Sequence, residues 1–185
     1  KMDIIIIGGA MANTFVSAKG FDVGTSLFEK ECIDLAKELI EKLQNNNCNL
    51  ILPTDFIVSK NLKKNAEYTT TNFDLMPNNM MALDIGPKSI ELINKNINNC
   101  KTILWNGPLG AFETYPFDKG TNKVASHVSS LTKQKKILSV AGGGDTVSAL
   151  NNAKVLNDFS YVSTAGGAFL EWLEGKVLPG IEPIS

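Results

Sequence analysis

The chain has 185 residues, 43% of them hydrophobic and 20% charged, with a formal net charge of −1. That length supports one domain with a sizeable core, and the near-neutral balance argues against a general nucleic-acid or membrane-surface binder. All 18 basic residues are lysines, so a bidentate guanidinium clamp on a phosphate has to come from elsewhere.

Short apolar runs alternate with longer amphipathic stretches. The runs are "DIIIIGG" (3–9), "NLILP" (49–53), "MALDIG" (81–86), "KTILWNG" (101–107), "KKILSVAGGG" (135–144) and "FSYVST" (159–164). They are continuously apolar, as expected of strands covered on both faces. The first helix is expected within 26–44, where Leu27, Cys32, Leu35, Leu39 and Leu43 fall near a 3.6-residue repeat. Segment 63–79 is polar and reads as an irregular surface excursion. A second helix is expected over 86–97, opened by Pro87. Others are expected over 117–133, 145–153 and 165–176. This alternation predicts an α/β fold, a three-layer α/β/α arrangement with a Rossmann-like, mostly parallel sheet.

No stretch approaches the ~20 apolar residues that span a bilayer, and no secretory signal is read. Cys32, Cys48 and Cys100 lie far apart without a CxxC unit, the pattern of a reducing compartment. The opening Lys1-Met2-Asp3, which runs at once into four isoleucines, is expected of an excised piece.

In such sheets ligands bind where strands end and helices begin. Five of the six runs end in or lead into glycine-bearing turns: Gly8-Gly9, Gly86-Pro87, Asn106-Gly107-Pro108, Gly142-Gly143-Gly144 and Gly166-Gly167. Glycines let backbone amides approach a ligand, and a helix N-terminus adds unpaired N–H groups and partial positive charge. Together they make an anion seat. Asp145 is an odd neighbour for a phosphate. Either Asp145 or Thr146 caps the helix, or Asp145 holds a Mg²⁺ that bridges to nucleotide phosphates. Neither G-x-G-x-x-G nor a Walker loop is present. His127 reads as a helix-face residue, and Trp105 and Trp172 read as packing. In "WNGPLGAFE" (105–113), Glu113 is either a surface acid or an acceptor for ribose hydroxyls.

The strings "IIGGAMANTF", "LPTDFIVS", "ALDIGPKSIE", "KTILWNGPLGAFE", "VAGGGDTVSAL" and "STAGGAFLEWLEGKVLPGI" occur in order. The chain thereby resembles the C-terminal, nucleotide-binding domain of phosphoglycerate kinase over essentially its whole length, 1–185. That family transfers a phosphoryl group between 1,3-bisphosphoglycerate and Mg-ADP, giving 3-phosphoglycerate and Mg-ATP. The resemblance implies that Gly8, Gly9, Ala82 and Leu83 wall an adenine slot and that Asn106, Pro108 and Ala111 line the same site. It further implies that Glu113 takes the ribose and that Gly143, Gly144, Asp145 and Thr146 seat the phosphates, with Asp145 at Mg²⁺. Gly166 and Gly167 resemble the glycine turn facing the transferring phosphoryl group, the catalytic position. Ala10 and Ala165 stand where the family usually has glycine, and an added methyl is expected to tighten the slot or shift the turn. The resemblance also implies a monomeric glycolytic enzyme of the cytoplasm, with ADP or ATP as partner and no nucleic acid or membrane. The N-terminal domain with the 3-phosphoglycerate site, and the family's first strand-helix unit with its lysines, have no counterpart in these 185 residues. The chain alone is therefore expected not to turn over. The alternative is a non-catalytic nucleotide-binding or interaction module on the same fold.

Overall fold

The computed structural model describes residues 2–163, 171 and 175. These residues gather into two compact units. The first takes the described residues up to Asn96 together with Pro108–Val124, and the second takes Ile97–Gly107 and the described residues from Ala125 on.

The first unit opens with β1 (Ile4–Ile6), which pairs in parallel with β2 (Asn49–Ile51). Between them run α1 (Gly9–Ala18) and α2 (Ile33–Asn45). In α1, Ala12, Phe15 and Val16 recur at helical spacing and are buried. Ala12 and Phe15 form a core with Ile7 and Ala36, against which Leu39, Ile40, Leu50 and Leu52 pack. The α2 stripe is therefore Ala36, Leu39 and Ile40, which keeps Leu39 of the stripe that the leucine spacing predicts. Leu27 precedes the helix, and both Leu27 and Leu35 are exposed.

An antiparallel sheet follows. β3 (Asp55–Ser59) lies between β4 (Thr69–Asn72) and β5 (Met81–Ile85). Two of these strands depart from the sequence reading. Segment 63–79 is not wholly irregular, since it contains β4 and a 3₁₀ turn at Phe73–Leu75. Phe56 and Val58 of β3 pack with Val16, Val23 and Met76, the burial that draws this segment into a sheet. α3 (Pro87–Ile97) leaves β5 with proline at its first position.

The second unit holds β6 (Thr102–Asn106), β7 (Leu138–Gly142) and β8 (Tyr161–Ser163), paired in parallel in that order. α4 (Lys119–Lys133) returns the chain toward β7, and α5 (Gly144–Asn152) toward β8. Trp105 of β6 is buried and meets Phe159 edge-on at 6.2 Å, as expected of a packing tryptophan. The architecture of the described residues is mixed α/β, with two parallel sheets and one antiparallel. No helix among the described residues is long and apolar enough to cross a membrane.

Candidate functional site

The first unit brings one group of the expected site residues together. Gly8 caps the N-terminus of α1 without a side-chain bond. The Gly9 N–H donates to the Leu109 carbonyl at 3.0 Å, which sets the Gly8-Gly9 turn against the residue after Pro108. A Cβ on Gly8 would lie 2.6 Å from Leu109 Cδ2, so glycine there allows the approach. On the other side of the loop, the Ala111 N–H donates to the Leu83 carbonyl at 2.8 Å. Leu83 is buried with Ala66 and Phe117, and Ala111 packs against that cluster. Ala82 precedes it, its amide donating to Ser26 Oγ at 2.8 Å. Glu113 follows as an exposed carboxylate, with the next turn closed by Thr114 N–H to Ala111 carbonyl at 2.9 Å. Thus Gly8, Gly9, Leu83, Pro108 and Ala111 converge on one loop, 108–113, with Ala82 and Glu113 beside it.

The second unit holds the others. Gly143 is the N-cap of α5 at φ 97, with no side-chain cap bond. A Cβ there would sit 3.5 Å from both Asn106 Oδ1 and Thr146 Oγ1. Thr146 is buried, and its hydroxyl accepts the Gly107 N–H at 2.7 Å. Thr146 therefore ties the end of β6 to the first turn of α5 and does not cap its own helix. Asp145 does not cap it either: it lies exposed in that first turn. The capping alternative is thus overturned for both residues, and the first turn of α5 carries an exposed acid. The described residues hold no group of three His, Cys, Asp or Glu side chains that could bind a metal. Mg²⁺ commonly takes one or two carboxylates plus substrate phosphates, and the single carboxylate of Asp145 fits that mode.

Gly166 and Gly167, Ala165, Trp172 and the helix expected over 165–176 lie outside the described residues, apart from Glu171 and Gly175. His127 is half-buried on α4, its Nε2 2.9 Å from Asn98 Oδ1, a helix-face position as expected.

Sequence reasoning passed over Asp84. It is 2% exposed on β5. Its Oδ1 accepts the Ile85 N–H at 2.9 Å, and its Oδ2 accepts the Gly120 N–H in the first turn of α4 at 2.6 Å. Burial pushes its carboxyl up to about 7, with Asp118 adding to the rise and the two amides and Lys119 opposing it. Lys119 gives it no direct partner. Its ammonium donates to the Tyr68 hydroxyl at 3.2 Å and lies 5.3 and 5.1 Å from the Tyr68 and Tyr115 rings. The available signal was an acid inside the apolar run "MALDIG".

Residues 1–176 match the family model for phosphoglycerate kinase. The phosphoglycerate kinase of Methylorubrum extorquens is 54% identical over 184 residues, which is 100% of this chain and 46% of the relative. That of Allorhizobium ampelinum is 51% identical, over 98% of this chain and 45% of the relative. The solved phosphoglycerate kinase from Coxiella burnetii superposes with a TM-score of 0.92 at 43% identity, covering 98% of this chain and 46% of that one. The one from Pyrococcus horikoshii gives 0.79 at 27% identity, over 97% and 44%. The chain therefore spans about half the length of the relatives that it matches. With a family match across nearly all of its residues and the same fold in solved members, the chain belongs to the phosphoglycerate kinase family.

Proposed function

We propose that this chain is the nucleotide-binding part of a phosphoglycerate kinase and holds Mg-ADP or Mg-ATP. The whole enzyme would move a phosphoryl group between 1,3-bisphosphoglycerate and ADP, as a cytoplasmic monomer in glycolysis. The observation that carries this is the second unit's turn. An α5 N-terminus free of side-chain caps, the Asn106 amide beside Gly143 and an exposed Asp145 stand together in one turn. Bare N–H groups and the helix dipole suit phosphate oxygens, and the acid suits a cation that accompanies them.

In this reading Gly8, Gly9, Ala82 and Leu83 serve the base, Pro108 and Ala111 shape the loop, and Glu113 accepts from the ribose diol. Asn106, Gly143, Gly144 and Thr146 serve the phosphates, and Asp145 holds Mg²⁺. Gly166 and Gly167 would face the group in flight. Phosphoryl transfer rests almost wholly on positioning and charge stabilisation, so the magnesium supplies charge neutralisation while these residues supply orientation.

Calorimetric titration with ADP, with and without Mg²⁺, tests the reading. Asp145→Ala is expected to weaken Mg-ADP binding about tenfold or more and to leave metal-free ADP binding within about twofold. Equal losses in both titrations would remove Asp145 from the metal. Glu113→Ala is expected to weaken binding about tenfold whether or not Mg²⁺ is present, the loss of a charged acceptor. An unchanged affinity would return Glu113 to the surface. Failure of the unmodified chain to bind ADP in either titration would overturn the reading as a whole.

A further inference from the structure

Three segments of the first unit meet at one carboxyl. Asp84 lies on β5, Gly110 in the 108–113 loop and Gly120 in the first turn of α4. A Cβ built on Gly110 or on Gly120 would fall onto the Asp84 side chain. Both glycines therefore leave the space that the carboxyl fills. The loop is fastened on each side of this point. Leu109 N–H donates to Thr121 Oγ1 at 3.0 Å, and Ala111 N–H to the Leu83 carbonyl at 2.8 Å. One bond runs to α4 and the other to β5, and Asp84 sits between them with its own bond to Gly120.

We propose that Asp84 is the positioning residue of the 108–113 loop: its carboxyl, closed in by Gly110 and Gly120, latches the loop to β5 and to the first turn of α4. That the latch serves a nucleotide rests on the function proposed above. The proposed function gives Asp84, Gly110 and Gly120 no part in holding the nucleotide, so the latch acts through the loop that carries Pro108, Ala111 and Glu113.

The latch has a direction. The groups around Asp84 are the Ile85 amide on its own strand, Gly110 of the loop, and Gly120, Asp118 and Lys119 at the start of α4. The two amides favour the ionised form. Burial and the neighbouring acid favour the neutral form, and the Lys119 ammonium is engaged by Tyr68. Burial is the largest influence, so Asp84 holds its proton more tightly in the closed arrangement than in water. Opening the loop gives it water and releases the proton. By linkage, protonation closes the latch and raising the pH loosens it.

The test is amide hydrogen exchange on the full chain, read residue by residue at pH 6 and pH 8 and corrected for intrinsic rates. The protection of Gly120 and Ala111 is expected to fall together, by about tenfold, from pH 6 to pH 8. In Asp84→Asn, whose side chain is neutral throughout, protection is expected to stay level. If that variant does not fold, the paired response of the two amides in the unmodified chain decides. Flat protection, or responses of Gly120 and Ala111 that differ, would overturn the latch. So would protection of Gly120 and Ala111 as high as that of Val58 at both pH values, because the two amides would then exchange only by global unfolding and no local latch would open. Adding ADP separates the two readings. Extra protection of both amides supports a nucleotide loop under the latch. A pH response without any effect of ADP keeps the latch and rejects the nucleotide role of the loop.

Discussion

Asp55→Ala is expected to lower the unfolding free energy by about 3–5 kcal/mol. Asp55 is 1% exposed at the start of β3. Its side-chain oxygens accept the Lys88 N–H at 3.1 Å, the Ser89 N–H at 2.7 Å and the Ser89 hydroxyl at 2.6 Å. Pro87 begins α3, so Lys88 and Ser89 supply two of the N–H groups that a helix start leaves without an internal partner. A residue 33 positions earlier in the chain thus caps α3 from another strand. The Asp55 carbonyl also takes the Gly86 N–H at 2.8 Å, and Ser89 Oγ accepts the Thr54 and Asp55 amides at 2.9 and 3.0 Å. Alanine would strand buried donors at the β5–α3 junction, and each stranded group costs about 1–3 kcal/mol. Asp55→Asn keeps one acceptor oxygen and is expected to lose less. Urea unfolding followed by circular dichroism measures both variants. A loss below about 1 kcal/mol for the alanine variant would show that the junction holds without this cap.

The legible part of the fold was where chemistry is local. Runs of isoleucine and valine announced β1, β2, β5, β6 and β7 within a few residues, and Pro87 announced the start of α3. What was hidden depends on partners distant in sequence. Thr69–Asn72 is polar and reads as loop, and it becomes a strand because β3 offers it a ladder. β3 follows Pro53 and lies outside the six apolar runs, and its Phe56 and Val58 find Val16 and Met76 only in the folded unit. The Gly8-Gly9 pair hid α1, whose buried side chains Ala12, Phe15 and Val16 do have helical spacing. The α2 stripe was only partly in phase because Leu27 was counted into a helix that starts at Ile33.

The candidate site divides in the same way. Its glycines and acids were readable because each motif is contiguous, as in "AGGGDT" and "NGPLGAFE". The supports were not. Ser26 reaches Ala82 across 56 positions, Thr146 reaches Gly107 across 39 and Thr121 reaches Leu109 across 12. No spacing rule couples such pairs, so residues that hold the motifs in place emerge only from the fold. Asp84 is the sharpest case, since its neighbours Gly110 and Gly120 look from the sequence like ordinary loop and helix glycines.

That buried acid has a consequence for stability as large as that of Asp55. Its carboxyl is raised from 3.8 to about 7 in the folded chain, with its ordinary value restored on unfolding. A folded value above the unfolded one means that the native state binds the proton more tightly. The stabilisation is complete below about pH 4 and is lost as the pH rises through about 7. Integrated over that window it amounts to on the order of 4 kcal/mol. Asp158 works in the opposite sense. Lys133 and Ser129 hold its carboxyl below the usual range, so its contribution is lost only on acidification, at pH values below the Asp84 window. Between pH 4.5 and 7.5 the difference in unfolding free energy between the unmodified chain and Asp84→Asn therefore isolates Asp84. The unmodified chain is expected to lose stability steadily relative to the variant as the pH rises, by about 3–4 kcal/mol over this range. Parallel curves would mean that Asp84 is ionised in the fold at all these pH values, with the Ile85 and Gly120 amides outweighing its burial.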